Sequence, residues 1–357
     1  MEPMHVFRLL PADEQVAAFL RAELERGLWV ERMPGVNWLS AELGVNRRSV
    51  EAALRQLEKE GQLKGRGPGH KRRIVAQRGQ ARPMRIGFLD YDQVSLTEGY
   101  TIELQHLLME AGHTVFFAEK SLTELGMDVP RISRLVQKAK AEAWVVGSGS
   151  REVLEWFSTQ PMPTFAFFGR RQGLPIAGAG PDKVPAQLEA TRHLIALGHR
   201  SILFLVRRER RHPVPGLAEL AFLDELKAHG IPTGRFNLPD WEETVDGFHA
   251  CLHELFRVTP PTALIIDEPQ FFIAAQQFLA DRQLRVPQQV SLVCTDFDPA
   301  FLWYKPPVSH IRWDSGPVVR RIVRWAATVS RGRPDLRQTL TKAEFIPGGT
   351  IGPAPVG

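Results

Sequence analysis

Hydrophobic positions change their spacing once along this chain. As far as residue 61 they recur at helical intervals, with Val16, Phe19, Leu20 and Leu24 forming one stripe between Pro11 and Arg26, which Gly27 closes. A second, short helix is predicted within Pro34–Val45, and Gly44 supplies a tight turn. The next stretch, Val45–Gly61, sets Val50, Ala53, Leu54 and Leu57 on one face and Arg47, Arg48, Glu51 and Arg55 on the other. Asn46 is placed to cap its start and Gly61 to end it in a left-handed conformation. Gln62-Leu63-Lys64 and Arg73-Ile74-Val75 then read as a small hairpin around a glycine- and cation-rich loop. Two short helices joined by a glycine turn and followed by such a hairpin predict a winged helix-turn-helix.

Residues 76–84 have little apolar content and read as a linker. Beyond them the pattern becomes strand alternating with helix. Strand-like runs at 85–90, 114–118, 143–147, 164–168, 201–206, 263–267 and 291–296 are separated by helical segments at 101–111, 129–140, 151–160, 184–197, 216–229, 241–257 and 271–282. Strands that alternate with helices imply parallel sheets wound on both faces, and this many units suit two lobes better than one. The expected organisation is therefore an α+β winged helix-turn-helix over residues 1–75, joined to a two-lobed α/β domain with doubly wound parallel sheets over 85–353. Lobe 1 is expected to take 85–179 and 309–334, and lobe 2 to take 180–308 and 335–353.

Charge separates the two parts. Residues 1–84 hold 15 Lys+Arg against 10 Asp+Glu, while the remainder holds 30 against 30, so the net +5 lies in the first quarter. Lys64–Arg82 alone carries seven cations and no acid, the pattern of a surface that meets a polyanion. No apolar run approaches the length that spans a bilayer, and Met1–Arg26 contains acids and no cleavable apolar segment, so the expectation is a cytoplasmic protein without a membrane partner. Two cysteines, Cys251 and Cys294, fit buried thiols better than a disulfide framework.

On chemistry alone, Arg47 and Arg48 stand in the first turn of a helix, beside its positive end, where a phosphate or a guanine edge is a natural partner. Arg66, Gly67, His70 and Lys71 belong to the expected wing, where glycine lets backbone approach phosphates and cations neutralise them. Within the two-lobed part, ligands of parallel sheets bind beyond the carboxyl ends of the strands. Those ends carry Asp90-Tyr91-Asp92, Ser148, Arg170-Arg171, Arg207-Arg208, Asp267-Glu268 and Asp296, a polar rim suited to a hydroxylated or charged small molecule. Trp303, in a loop near Asp296, is the candidate for stacking on a ligand ring.

Residues 8–75 resemble the winged helix-turn-helix of the GntR family of bacterial transcription regulators. The likeness is carried by Leu24-Glu25-Arg26-Gly27, Met33-Pro34, the run Leu39–Val50, Ala53-Leu54, Leu57, Gly61 and the glycine-rich loop. It implies DNA contacts from Arg47, Arg48, Ser49 and Gly67, and Asn46 and Asn37 belong to the same candidate surface. Asn37 stands where that family usually has an arginine. Residues 85–353 resemble the effector domain of the LacI family, itself similar to periplasmic sugar-binding proteins, through Ala190–Phe204, Phe222–Ile231, Pro261–Ile266, Val286–Val293 with Asp296, Pro306-Pro307 and the tail from Phe345. Asp296 falls on a ligand-contacting acid of that family. Ala218 replaces its sugar-binding arginine, and Glu268-Pro269 its usual Asn-Asp.

Together these readings predict a transcription regulator, most simply a repressor and a homodimer, that binds an operator in double-stranded DNA and a small-molecule effector, with a sugar as one candidate. The alternative is a sensory or binding protein whose basic head meets nucleic acid or protein nonspecifically. No enzyme motif is found, since Gly147-Ser148-Gly149-Ser150 lacks the order of a nucleophile elbow or phosphate loop. No cofactor is implied. His249, Cys251 and His253 share a helix without further ligands, so no metal is expected either.

Overall fold

The computed structural model describes residues 11–26, 29, 32–65, 71–74, 81–93 and 99–355. Within the head, α1 (Ala12–Arg26), α2 (Val36–Leu43) and α3 (Arg47–Lys59) surround a core of Leu20, Met33, Leu39, Val50, Leu54 and Leu57. The Asn46 side chain accepts from Ser49 N at 2.8 Å and so caps α3 as its type predicts. Gly61 takes φ 74° and the chain closes on Leu57 O through Gln62 N at 2.9 Å, the doubly bonded end that glycine permits. Leu63–Lys64 (β1) pairs antiparallel with Arg73–Ile74 (β2), the base of the expected wing. Its outer part, including the candidate residues Arg66, Gly67 and His70, lies outside the described residues.

The body contains β3 (Arg85–Leu89), β4 (Thr114–Phe117), β5 (Ala143–Gly147), β6 (Thr164–Phe167), β7 (Ala177–Asp182), β8 (Ile202–Leu205), β9 (Ala263–Ile266), β10 (Ser291–Cys294), β11 (Ser309–Trp313) and β12 (Gln338–Ile346). Helices between them are α4 (Gly99–Glu110), α5 (Val129–Ala139), α6 (Arg151–Ser158), α7 (Val184–Ala196), the short α8 (Arg208–Arg211), α9 (Leu217–Ala228), α10 (Val245–Val258), α11 (Pro269–Asp281) and α12 (Gly316–Val329). Strand order is β4-β3-β5-β6-β7-β12-β11-β10-β9-β8, parallel at every step except β11 with β12. β5, β6, β8, β9 and β10 are buried on both faces, as Ala-Leu-Ile-Ile at β9 illustrates, because helices cover both sides.

One strand joins the two halves. Gln338–Lys342 of β12 pairs with β7, and Ala343–Ile346 pairs with β11. This corrects the expected division at two places. β11 pairs with β10 and so belongs with the second half, which moves the return to the first half from residue 309 to the turn after Trp313; and the first five residues of β12 sit on the first half. Besides the one-turn α8, four elements escaped the periodicity. β7 reads Ala-Gly-Ala-Gly-Pro-Asp, whose small residues carry no alternation, and β12 mixes polar and apolar residues because only two of its nine positions are buried. β11 reads Ser-His-Ile-Arg-Trp, without an apolar run, and α12 has helical spacing in a segment that the sequence placed only in a lobe.

α12 packs on α4 and β7, burying Val318, Ile322, Trp325 and Val329 in the first half's core. Its buried Arg321 meets Asp335 through both guanidinium nitrogens, at 2.8 and 3.0 Å, and donates to Arg337 O at 2.7 Å. This ties the helix to the start of β12. Removing one partner of a buried pair leaves the other charge uncompensated, so Asp335→Ala is expected to cost about 3–5 kcal/mol of body stability in urea unfolding, and a loss below about 1 kcal/mol would show the pair to be dispensable.

Candidate functional site

On the head, α3 presents its first turn outward. Arg47 and Arg48 are exposed and make no ion pair with any described residue, whereas Arg55 further along lies 3.7 Å from Glu51. Arg72, unlike its neighbours, is a brace: it bonds Glu51 at 2.8 Å and Glu58 at 2.9 Å, fixing the wing base to α3. Arg21 holds the far end of α3 through Glu60 at 2.7 Å. Between α2 and the wing lies an open depression of about 460 Å³ lined by Asn37, Trp38, Arg32 and Lys71. Asn37 and Lys71 are both exposed there, and Trp38 is half exposed. Of the nine candidate DNA residues, Asn37, Asn46, Arg47, Arg48, Ser49 and Lys71 can thus be placed, with Asn46 and Ser49 occupied in the helix cap.

In the body, the carboxyl ends of the strands converge as the topology requires. Asp90-Tyr91-Asp92 follows β3, Ser148 follows β5, Arg170 follows β6, Arg207 follows β8, Asp267 follows β9 and Asp296 follows β10. Arg207 is the hub. Its nitrogens lie 3.1 Å from each of Asp92, Glu243 and Glu268, and its guanidinium stacks 4.2 Å over the Tyr91 ring. Tyr91 donates its hydroxyl hydrogen to Glu243 at 2.8 Å. A second bridge runs from Arg170, whose Nη2 donates to Arg210 O at 2.9 Å and Val214 O at 2.7 Å. Both bridges join the first half to the second.

Deeper in the cleft, Asp296 pairs with Lys183 and accepts from Trp313 Nε1 at 2.9 Å. Buried Asp267 pairs with Arg210 and accepts from Thr295 Oγ1 at 3.1 Å, and Arg210 also meets Glu219 at 2.6 Å. In the ion-paired network formed by these contacts, six carboxylates (Asp92, Glu219, Glu243, Asp267, Glu268, Asp296) face three cations (Lys183, Arg207, Arg210). The imbalance shows in the titration. Burial alone would lower the Arg207 pKa, but the negative charge of Glu268 and the groups around it holds it raised. Burial would lift Asp267, yet Arg210 and Lys183 hold it below the ordinary carboxylate range. Although Arg207 lies 3.1 Å from it, burial and the neighbouring Asp267 push the Glu268 carboxyl up to about 7.

Trp303 does not join this cleft. It stands 89% exposed on the short 3-10 turn Pro299–Trp303, where the chain turns its preceding Phe301 inward instead. The aromatic wall is Trp313, whose ring meets Phe168 at 5.4 Å and Tyr100 at 6.1 Å. Trp313, Lys183, Glu219, Glu243 and Arg210 are the cleft residues that strand-end reasoning missed, because Trp313 ends and Lys183 follows a strand that was not legible, Glu219 lies on α9 and Glu243 sits in a loop before α10. The dense charge of Arg207-Arg208-Glu209-Arg210-Arg211 directly after an apolar strand was the available signal for Arg210. Among the described residues no cluster of His, Cys, Asp and Glu is arranged to hold a metal, and no helix is long and apolar enough to cross a membrane. His253 packs edge-on to Phe278 at 5.0 Å.

Residues 12–67 match the family of bacterial regulatory proteins named gntR, and residues 191–351 match the periplasmic binding protein-like domain. Among solved structures, similar folds include a LacI family transcriptional regulator from Mycobacterium smegmatis, at 20% identity and a TM-score of 0.59, covering 75% of this chain and 99% of that one. The transcriptional regulator CelR in complex with cellobiose aligns at 16% identity and a TM-score of 0.61, over 89% and 100% of the two chains. A LacI family regulator from Lactobacillus casei with bound sucrose gives 15% identity and a TM-score of 0.61, over 74% and 99%. At such identities the likeness is one of fold. No curated protein sequence matches. The class is that of DNA-binding transcription regulators. Within it, this chain is a hybrid in which a gntR-type helix-turn-helix head is joined to a LacI-like, periplasmic-binding-protein-like body.

Because the native cleft holds the Glu268 proton more tightly than the unfolded chain does, stability should fall as pH rises from the ordinary carboxylate range to about 7. Glu268→Gln is expected to flatten that decline. Thermal unfolding at about pH 5 and about pH 8 checks it, and an equal drop in both proteins rejects the assignment.

Proposed function

We infer that the protein is a non-enzymatic, cytoplasmic transcription regulator, acting as a repressor, in which a small molecule bound between the two halves of the body sets the affinity of the head for its operator. One observation carries the reading: Arg47 and Arg48 stand exposed, with no ion partner among the described residues, in the first turn of α3 of a gntR-family head, the position from which a helix reads the major groove. A homodimer supplies two heads to a pseudo-palindromic site. Asn37, Asn46, Ser49, Arg66, Gly67, His70 and Lys71 complete the DNA surface, by backbone contact and register more than by base reading.

The cleft binds the effector through Asp90, Tyr91, Ser148, Arg170, Arg207, Asp267 and Asp296, with Trp313 as the apolar wall in place of Trp303. A hydroxylated ligand such as a sugar suits it, because its hydroxyls can donate to the surplus carboxylates while its ring face lies on Trp313. Ala218 leaves no arginine at the position where the resemblance expects one, so Arg207 and Lys183 are the cations that meet a ligand oxygen. The effector shifts operator affinity only as far as it binds the two arrangements of the halves differently.

Arg48→Ala is expected to weaken binding to an operator obtained by selection from random duplexes by ~1–3 kcal/mol and to relax its sequence preference; anisotropy titration at fixed salt that found neither effect would remove α3 from the interface. Asp296→Ala should abolish the response to a sugar identified by thermal-shift screening while leaving operator binding of the ligand-free chain intact. Full sugar affinity of that variant in calorimetry would sink the cleft assignment.

A further inference from the structure

The body is neutral in total, with 30 Lys+Arg and 30 Asp+Glu after residue 84, but its topology sorts those charges. Strands β3, β5, β6, β7 and the first part of β12 run parallel, so all begin at one edge and end at the opposite edge, where the acid-rich cleft lies. At the beginning edge stand Arg82, Arg85, Lys140, Arg331, Arg333 and Arg337, against Glu110 and Glu142. Asp335 is also near, but its charge is taken by the buried Arg321.

Arg82 and Arg85 share one acid at this edge. Arg85 opens β3 and exchanges bonds with Glu142, its N–H donating to Oε2 at 3.0 Å and its carbonyl accepting from Glu142 N at 2.8 Å. Arg82 Nη2 lies 3.8 Å from the same carboxylate. The backbone N–H of Arg82 donates to Ser330 O at 3.3 Å, which brings the loop carrying Arg331 and Arg333 against the segment that leads to the head. Lys140, Arg333 and Arg337 are exposed and make no ion pair with any described residue. Cations on a protein edge are ordinarily just solvated. Here the edge is also the one from which the head is tethered: Ile74 and Ala81 are seven residues apart, so covalent geometry keeps the wing base within ~25 Å of it.

We propose that this edge of the body is a second DNA surface, a sequence-independent seat for the sugar-phosphate backbone of the duplex that the head engages. The proposal rests on the head being the DNA reader. Guanidinium groups suit phosphates through their forked donors, and a patch without base contacts adds affinity without adding specificity.

The test takes the full-length chain, the variant Arg82→Ala/Arg333→Ala/Arg337→Ala and the corresponding Arg→Lys variant, each titrated against the selected operator and a scrambled duplex between about 50 and 200 mM salt. The slope of log affinity against log salt should fall by about 0.9 for every phosphate that is no longer neutralised, hence by about 2–3 in the alanine variant, alike on both duplexes. The operator-to-scrambled ratio should stay constant, and the lysine variant should keep most of the slope. An unchanged slope in the alanine variant overturns the proposal, as does a weakening confined to the operator. Failure of the head reads differently: a wild-type chain with no preference between the duplexes contradicts the reading of α3, while a slope that still drops in the alanine variant leaves this edge standing.

Discussion

Arg207 sets the terms on which the two halves of the body meet. It emerges from the end of β8 with its guanidinium almost fully enclosed, and such a group has to be surrounded by acceptors or the burial would be prohibitive. The protein supplies three carboxylates and an aromatic face, one acid and the ring from the first half and two acids from the second. That arrangement crosses the cleft. A ligand entering there competes with carboxylate partners already in place, so the closed geometry and the chemistry of recognition are set by one side chain.

The same burial accounts for the surplus acid. Buried and crowded with Asp267, the Glu268 carboxyl has its pKa pushed up to about 7. Hydroxyl or amine donors, which relieve the negative charge, are the groups the cleft favours.

Parallel strands give the body two unlike edges. Where they end, acids and aromatic rings surround a cleft; where they begin, arginines gather beside the tether to the head. α12 spans the distance between them. It begins three residues after Trp313, which bonds Asp296 in the cleft, and runs to Ser330, whose carbonyl holds Arg82 at the other edge. A packed helix with one end at each site is a rigid element that two arrangements of the halves would carry to different positions.

The head was legible because its signals are local. Asn46 as a cap, Gly44 and Gly61 in left-handed conformations, and the apolar face of α3 are each decided within a few residues. Periodicity likewise gave the seven apolar strands and the helices between them, and the strand ends placed Tyr91, Arg207, Asp267 and Asp296 at one cleft. What sequence could not decide depended on contacts distant along the chain: that β12 would serve both halves, that Trp313 and not Trp303 would face Asp296, that Glu243 would reach Tyr91 across 152 residues. Periods and caps report the energies of near neighbours, whereas a charge's partner or a ring's exposure is fixed by which surfaces the sheet brings together, and that is a property of the folded chain alone.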